Sequence, residues 1–238
     1  MPKVLHVGPC DTPGGMATVM HTLAEYPPEG WEAELLASHA PGGLWAKWRA
    51  YRRARKELIR RCQSPQDRPD IVHVHTAADW SWKRKRRFAQ MAKKAGISNI
   101  IHLHSGQFDT WLKAHPQRCV RFNEDIRENN STVVVLSNSW KEKLSALIHV
   151  DYAVNNPFKP PLDQHSRTAR DPNKILFLAR NDPIKGGLFA QHLVEEVREE
   201  YPNVFLSMSG ILGQTPDWVK ALGWMSEDEK RNHLSSAL

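Results

Sequence analysis

Arg180 and Lys185 share a short run, Leu178-Ala179-Arg180-Asn181-Asp182-Pro183-Ile184-Lys185-Gly186-Gly187, set between an apolar strand over 174–178 and the start of a helix. A guanidinium can grip phosphate oxygens with two parallel N–H bonds, an ammonium adds a point charge, and a helix start adds free backbone N–H groups. Strand, cationic loop, paired glycines and helix together describe a diphosphate site. Neither GxxxxGK[ST] nor GxGxxG occurs in the chain, which excludes an ordinary NTPase loop and a dinucleotide fingerprint.

Other strand ends carry chemistry too. Gly14-Gly15 follows the first strand, and glycines at a helix start let a phosphate approach the backbone closely. His73-Val74-His75 and His102-Leu103-His104 are paired histidines; residues two apart in a strand point to one face, so each pair projects together. Were the two strands neighbours, four imidazoles would converge, and a metal-dependent hydrolase is the rival reading they support. Only Asp79 and Asp109 stand near them as carboxylates. The simpler expectation is a single imidazole, His104, poised at a strand tip beside a substrate, with no bound metal.

The elements that must position these groups alternate. Strands are expected over 3–7, 31–37, 70–75, 99–104 and 132–136, with helices after Gly15, over 44–62 and over 80–95, the last closed by Gly96. Ser139 to Glu142 and Ser226 to Glu229 read as capping boxes opening two further helices. Strands alternating with helices mean parallel sheets. The expected fold class is α/β with two doubly wound, Rossmann-like units: an amino-terminal domain over 1–157, a proline-rich linker over 158–172 and a partial second domain over 173–238. Two strands and two helices cannot bury both faces of a sheet, so the second domain is expected to be cut short, ending at Leu238 inside a helix.

The chain has 238 residues, is 40% hydrophobic and 25% charged, and carries a formal charge of +7. A basic surface attracts anions: phosphates, acidic lipids or nucleic acid. Cys10, Cys62 and Cys119 form no CxxC pair, which suggests a reducing compartment, and no apolar run reaches the ~20 residues a membrane span needs. The expected location is cytoplasmic. On the helix over 44–62, Trp45, Trp48, Tyr51, Leu58 and Ile59 fall near one another on the helical wheel, with arginines around much of the rest, a pattern suited to peripheral contact with an anionic membrane. Basic residues are not interleaved with aromatics on a strand platform, so no nucleic-acid partner is expected.

Taken in order, Gly14-Gly15, the His102-Leu103-His104-Ser105-Gly106 tip, Leu136-Ser137-Asn138-Ser139-Trp140-Lys141, Asn156-Pro157-Phe158, Arg180 with Lys185-Gly186, and Leu222-Gly223-Trp224 resemble the GT-B glycosyltransferases of family 4. Ser81-Trp82-Lys83-Arg84-Lys85 and Gln107-Phe108-Asp109 favour the bacterial branch that builds exopolysaccharide, capsule or lipopolysaccharide. The resemblance implies retaining transfer from a nucleotide-sugar donor to a glycan or lipid-linked acceptor, without cofactor or metal. Arg180 and Lys185 would hold the diphosphate, Gly14 and Gly15 would close over it, Gly223 would meet the nucleobase, and His104 would stand at the reaction centre. Trp82, Arg84 and Lys85 would face the acceptor. The family's paired-glutamate motif, E-x7-E, is missing, which leaves a non-catalytic acceptor-binding remnant as the alternative.

Overall fold

The computed structural model describes residues 1–157, 170–211 and 213–237, and the chain divides into two compact units between residues 159 and 160. Most of the expected linker, residues 158–169, lies outside the described residues, as does Leu238.

In the first unit the strands are β1 (Lys3–Gly8), β2 (Glu32–Ala37), β3 (Ile71–Thr76), β4 (Ser98–Leu103), β5 (Ser131–Val135) and β6 (Tyr152–Ala153), and the helices α1 (Gly15–Glu25), α2 (Leu44–Gln63), α3 (Trp80–Lys94), α4 (Phe108–Lys113), α5 (Gln117–Asn129) and α6 (Asn138–Ser145). All pairings are parallel and the sheet order is β2-β1-β3-β4-β5-β6. The order reverses between β1 and β3, so the crevice beyond their carboxyl ends is where such a sheet receives a ligand.

Strand alternation divides the sheet into two unlike faces. Leu5, Val7, Val72, Val74, Ile101, Leu103, Val133 and Val135 form the core with Leu58 of α2, Phe88 and Ala92 of α3, Phe122 and Ile126 of α5 and Leu144 of α6. The opposite face bears His6, His73, His75, His102 and Val134, with Met20 of α1 seated on Gly8, where a Cβ would lie 2.2 Å from the methionine sulfur.

Local chemistry explains most boundaries and corrects two. The left-handed Gly96 (φ 66°) follows α3 as expected. The cap of α6 is Ser137, not Ser139: its extended backbone lets Oγ accept the Trp140 N–H, so the helix starts at Asn138. The stripe expected on α2 splits: Leu58 and Tyr51 join Ala50 and Ala54 in the core, while Trp45, Trp48 and Ile59 face outward, the two tryptophans stacked at 4.7 Å.

The second unit has β7 (Lys174–Phe177), a 3-10 turn (Pro183–Lys185), α7 (Gly187–Glu200), β8 (Phe205–Ser209), β9 (Val219–Gly223) and α8 (Glu227–Ser236). Its described sheet has three parallel strands in the order β7-β8-β9, one more than expected, because Val219–Gly223 pairs with β8. Val194, Val204, Leu206, Met208 and Val219 make a small core. The Ser226–Glu229 capping box forms with both reciprocal bonds, and α8 ends at Ser236, with Ala237 already extended.

Candidate functional site: strand-end loops and a histidine face

At the crevice of the first unit, Gly14 caps α1 with φ 151° and ψ 164°, a conformation close to glycine-only. A Cβ added at Gly14 or Gly15 would meet nothing within 4 Å, so the helix start is open to a ligand. Across the reversal point Asp79 precedes α3 at φ 59° and ψ −127°, a strained backbone for a residue with a side chain. Ser81 secures that turn, its Oγ accepting the Ala77 N–H at 3.1 Å.

His104 sits one residue beyond β4, its N–H donating to the Thr76 carbonyl at 2.8 Å. Its Nε2 lies 2.9 Å from Nδ1 of His75. Further along the face, His75 Nε2 lies 3.0 Å from His6 Nδ1, and His73 Nε2 lies 3.2 Å from His102 Nδ1. Both strand pairs thus project together on adjacent strands, and His6 of β1 joins them. Burial pushes the pKa of His6 and His102 down to about 4. Burial first, then the neighbouring His102 and the Lys85 charge, bring His104 down to about 3. His73 and His75 are held well below the ordinary imidazole value by burial and by their neighbours. Near neutral pH all five are uncharged, with lone pairs available.

Lys85 is 3% exposed, and burial pushes its pKa down to about 7, with Arg84 adding repulsion. Among the described residues no carboxylate pairs with it; the groups that sense its charge are Cys10, His39 and His104. Trp82, expected beside an acceptor, is 4% exposed and packs on Phe122 with ring centroids 4.6 Å apart, so its place is in the core. Of the neighbouring cations, Arg86 is tied to Asp125 at 3.0 Å and Lys83 lies over the Trp80 ring at 4.6 Å, while Arg84 is half-buried.

In the second unit the cationic loop leaves β7 as expected. Arg180 is exposed, and its Nε and Nη2 donate to Asp182 Oδ2 at 3.2 and 3.0 Å. Asp182 Oδ1 accepts the Ile184 N–H at 3.2 Å, which caps the 3-10 turn carrying Lys185. The left-handed Gly186 (φ 78°) then turns the chain into α7. Two residues unnoticed in the sequence hold this loop. Ser209 Oγ accepts the Ala179 N–H at 2.8 Å and donates to its carbonyl at 2.9 Å. Gly210 (φ 74°) lies under the loop so closely that a Cβ would be 2.5 Å from the Ala179 oxygen and 2.8 Å from Arg180 Cα. The Gly210 N–H donates to the Gly223 carbonyl at 2.7 Å, which joins the expected nucleobase position to the same framework. A small Ser-Gly pair at a strand's carboxyl end was the available signal.

No family model matches the chain, and no curated protein matches it. Among the solved structures that match is one described as the glycotransferase of kitacinnamycin, 13% identical, with a TM-score of 0.44, covering 93% of this chain and 71% of that one.

Proposed function

We propose that the protein is a retaining glycosyltransferase of the GT-B type that takes a sugar from a nucleoside-diphosphate donor to a glycan or lipid-linked acceptor in surface polysaccharide synthesis. The observation that carries the reading is the Arg180–Lys185 loop, a cationic strand-end turn clamped by Ser209 and Gly210. A leaving diphosphate gathers negative charge as the glycosidic bond breaks. Cations and N–H groups already fixed in place stabilise that charge without reorganising. Asp182 keeps the Arg180 fork in position, and the arriving phosphate competes for the same N–H groups. These groups do at the diphosphate what a metal ion does elsewhere.

On this reading Gly14 and Gly15 offer the α1 start to the donor, Gly223 lies at the nucleobase, and the neutral His104 hydrogen-bonds the reacting sugar. Arg84 meets an anionic acceptor, and the buried Lys85 acts on it only through its charge. The outward Trp45 and Trp48 with Arg49, Arg52 and Arg53 support peripheral contact with anionic lipid on the cytoplasmic face. No helix of the described residues is long and apolar enough to cross a membrane.

The test is calorimetric titration with UDP, GDP and ADP, followed by the sugar donors of whichever nucleotide binds. One nucleotide should bind, and Arg180→Ala should weaken it by about tenfold or more, as expected for a lost charged hydrogen bond. Failure of all three to bind at millimolar concentration, or an unaffected Arg180→Ala variant, overturns the proposal. Binding of nucleotide and acceptor without turnover would favour the non-catalytic remnant.

A further inference from the structure

The histidine face holds an arrangement that sugar transfer does not require. His75 and His102 are register partners on β3 and β4, and His104 follows two residues after His102 on the same side. One ring nitrogen from each of the three lies within 4.8 Å of the others, with ring centroids 4.3 to 5.4 Å apart. His102 is 2% exposed, yet its Nε2 is buried with no hydrogen-bond partner among the described residues. A buried orphan nitrogen of this kind costs free energy unless something fills the position.

We propose that His75, His102 and His104 form a binding site for a divalent transition-metal ion of the zinc class, with the donors His75 Nδ1, His102 Nε2 and His104 Nε2. The outer hydrogen bonds select these atoms. When His75 carries its proton on Nε2, it donates to His6 Nδ1 and turns the Nδ1 lone pair toward His104. When His102 carries its proton on Nδ1, it donates to His73 Nε2 and leaves the Nε2 lone pair unshared. His104 completes the set with its proton on Nδ1. Every ring stays neutral in this arrangement, so an ion enters by a tautomer change with no net release of protons. His6 and His73 then orient the ligands from behind, as outer-shell partners of metal-bound histidines do.

The spacing suits the ion. Bonds of about 2.05 Å in a tetrahedral site place donor nitrogens about 3.3 Å apart. The His75 and His104 nitrogens stand at 2.9 Å and the three donors within 4.8 Å, so seating an ion would require the first pair to part slightly and the His102 ring to turn inward. Three neutral imidazoles suit zinc, copper or nickel rather than magnesium or calcium, and the fourth position is left to water. This inference does not depend on the glycosyltransferase reading. If both hold, the ion occupies His104 and inhibits transfer.

The experiment uses tag-free protein, stripped with chelator, dialysed and titrated with Zn2+ against a chromophoric competitor. One ion per chain is expected. His102→Gln and His104→Gln should each weaken binding at least a hundredfold, His73→Gln about tenfold, and exposed His115→Gln not at all. Near-UV circular dichroism of each variant reports folding separately. X-ray absorption of the zinc-loaded wild type covers the case of an unfolded variant, with three imidazoles expected at about 2.0–2.1 Å. Zinc affinity unchanged in both His102→Gln and His104→Gln, no ion retained by the wild type at micromolar free zinc, or a spectrum lacking imidazole ligands overturns the assignment. Nucleotide titration of the chelated protein separates this outcome from failure of the transferase reading.

Discussion

Replacing Lys85 with Met removes a buried charge while keeping the length of the side chain. The ammonium is buried on α3, no carboxylate among the described residues pairs with it, and its pKa is lowered from 10.5 to about 7. Between those values the unfolded chain holds a proton that the folded chain does not, so wild-type stability must rise with pH. The slope approaches 1.4 kcal/mol per pH unit, or about 2 kcal/mol between pH 7 and pH 9. Below pH 7 both states are protonated and this contribution is flat. Lys85→Met removes the whole mismatch, a gain of up to about 4 kcal/mol at pH 7. Urea unfolding of both proteins at several pH values from 6 to 9.5, followed by tryptophan fluorescence, gives the comparison. The variant should be more stable at pH 7 and lack the wild type's rise toward pH 9, while binding of an anionic acceptor falls. Equal stability at pH 7, or the same slope in both proteins, would refute the argument that Lys85 is kept at a cost in stability.

Gly210→Ala places a methyl group against the Ala179 carbonyl at positive φ; it should cost about 1–3 kcal/mol and weaken nucleotide binding with it, and a thermal melt paired with nucleotide titration checks both. His104→Ala should lower kcat far more than donor affinity, and unchanged turnover in a steady-state assay would remove the imidazole from the reaction centre. On vesicles of anionic lipid, replacing Arg49, Arg52 and Arg53 together should release the protein in a sedimentation assay. Replacing Arg60 and Arg61 should not, because Glu57, Asp67 and Glu34 already neutralise them.

The alternation of strands and helices was legible because apolar runs such as Val4–Val7 and Ile100–Leu103 sit between basic amphipathic stretches, and the strand-end glycines and cations follow from it. Three features were not. The α5 helix went unread because its buried face includes the polar Asp125 and Asn129 as well as Phe122 and Ile126, which blurs the period. Trp82 looked available among the cations of α3, but its neighbour in space is Phe122, distant in sequence. His6 stood alone until parallel pairing set β1 beside β3, opposite His73. Local pattern carries the elements, whereas register between strands decides which side chains meet.

The outer side of β7 has a consequence for handling the protein. Among the described residues no strand pairs with it, although its partner β8 is fully enclosed. Natural sheets protect such edges with outward charge, but the single charge here, Lys174, is turned into α8, where Nζ meets Ser236 Oγ at 2.6 Å and His233 Nδ1 at 3.0 Å. Among the described residues the outer backbone groups of Ile175, Leu176 and Phe177 thus have no strand partner. Concentrated solutions should therefore lose material to edge-to-edge aggregation, and a charge at Leu176, which points away from the core that Ile175 and Phe177 join, is the change that would suppress it.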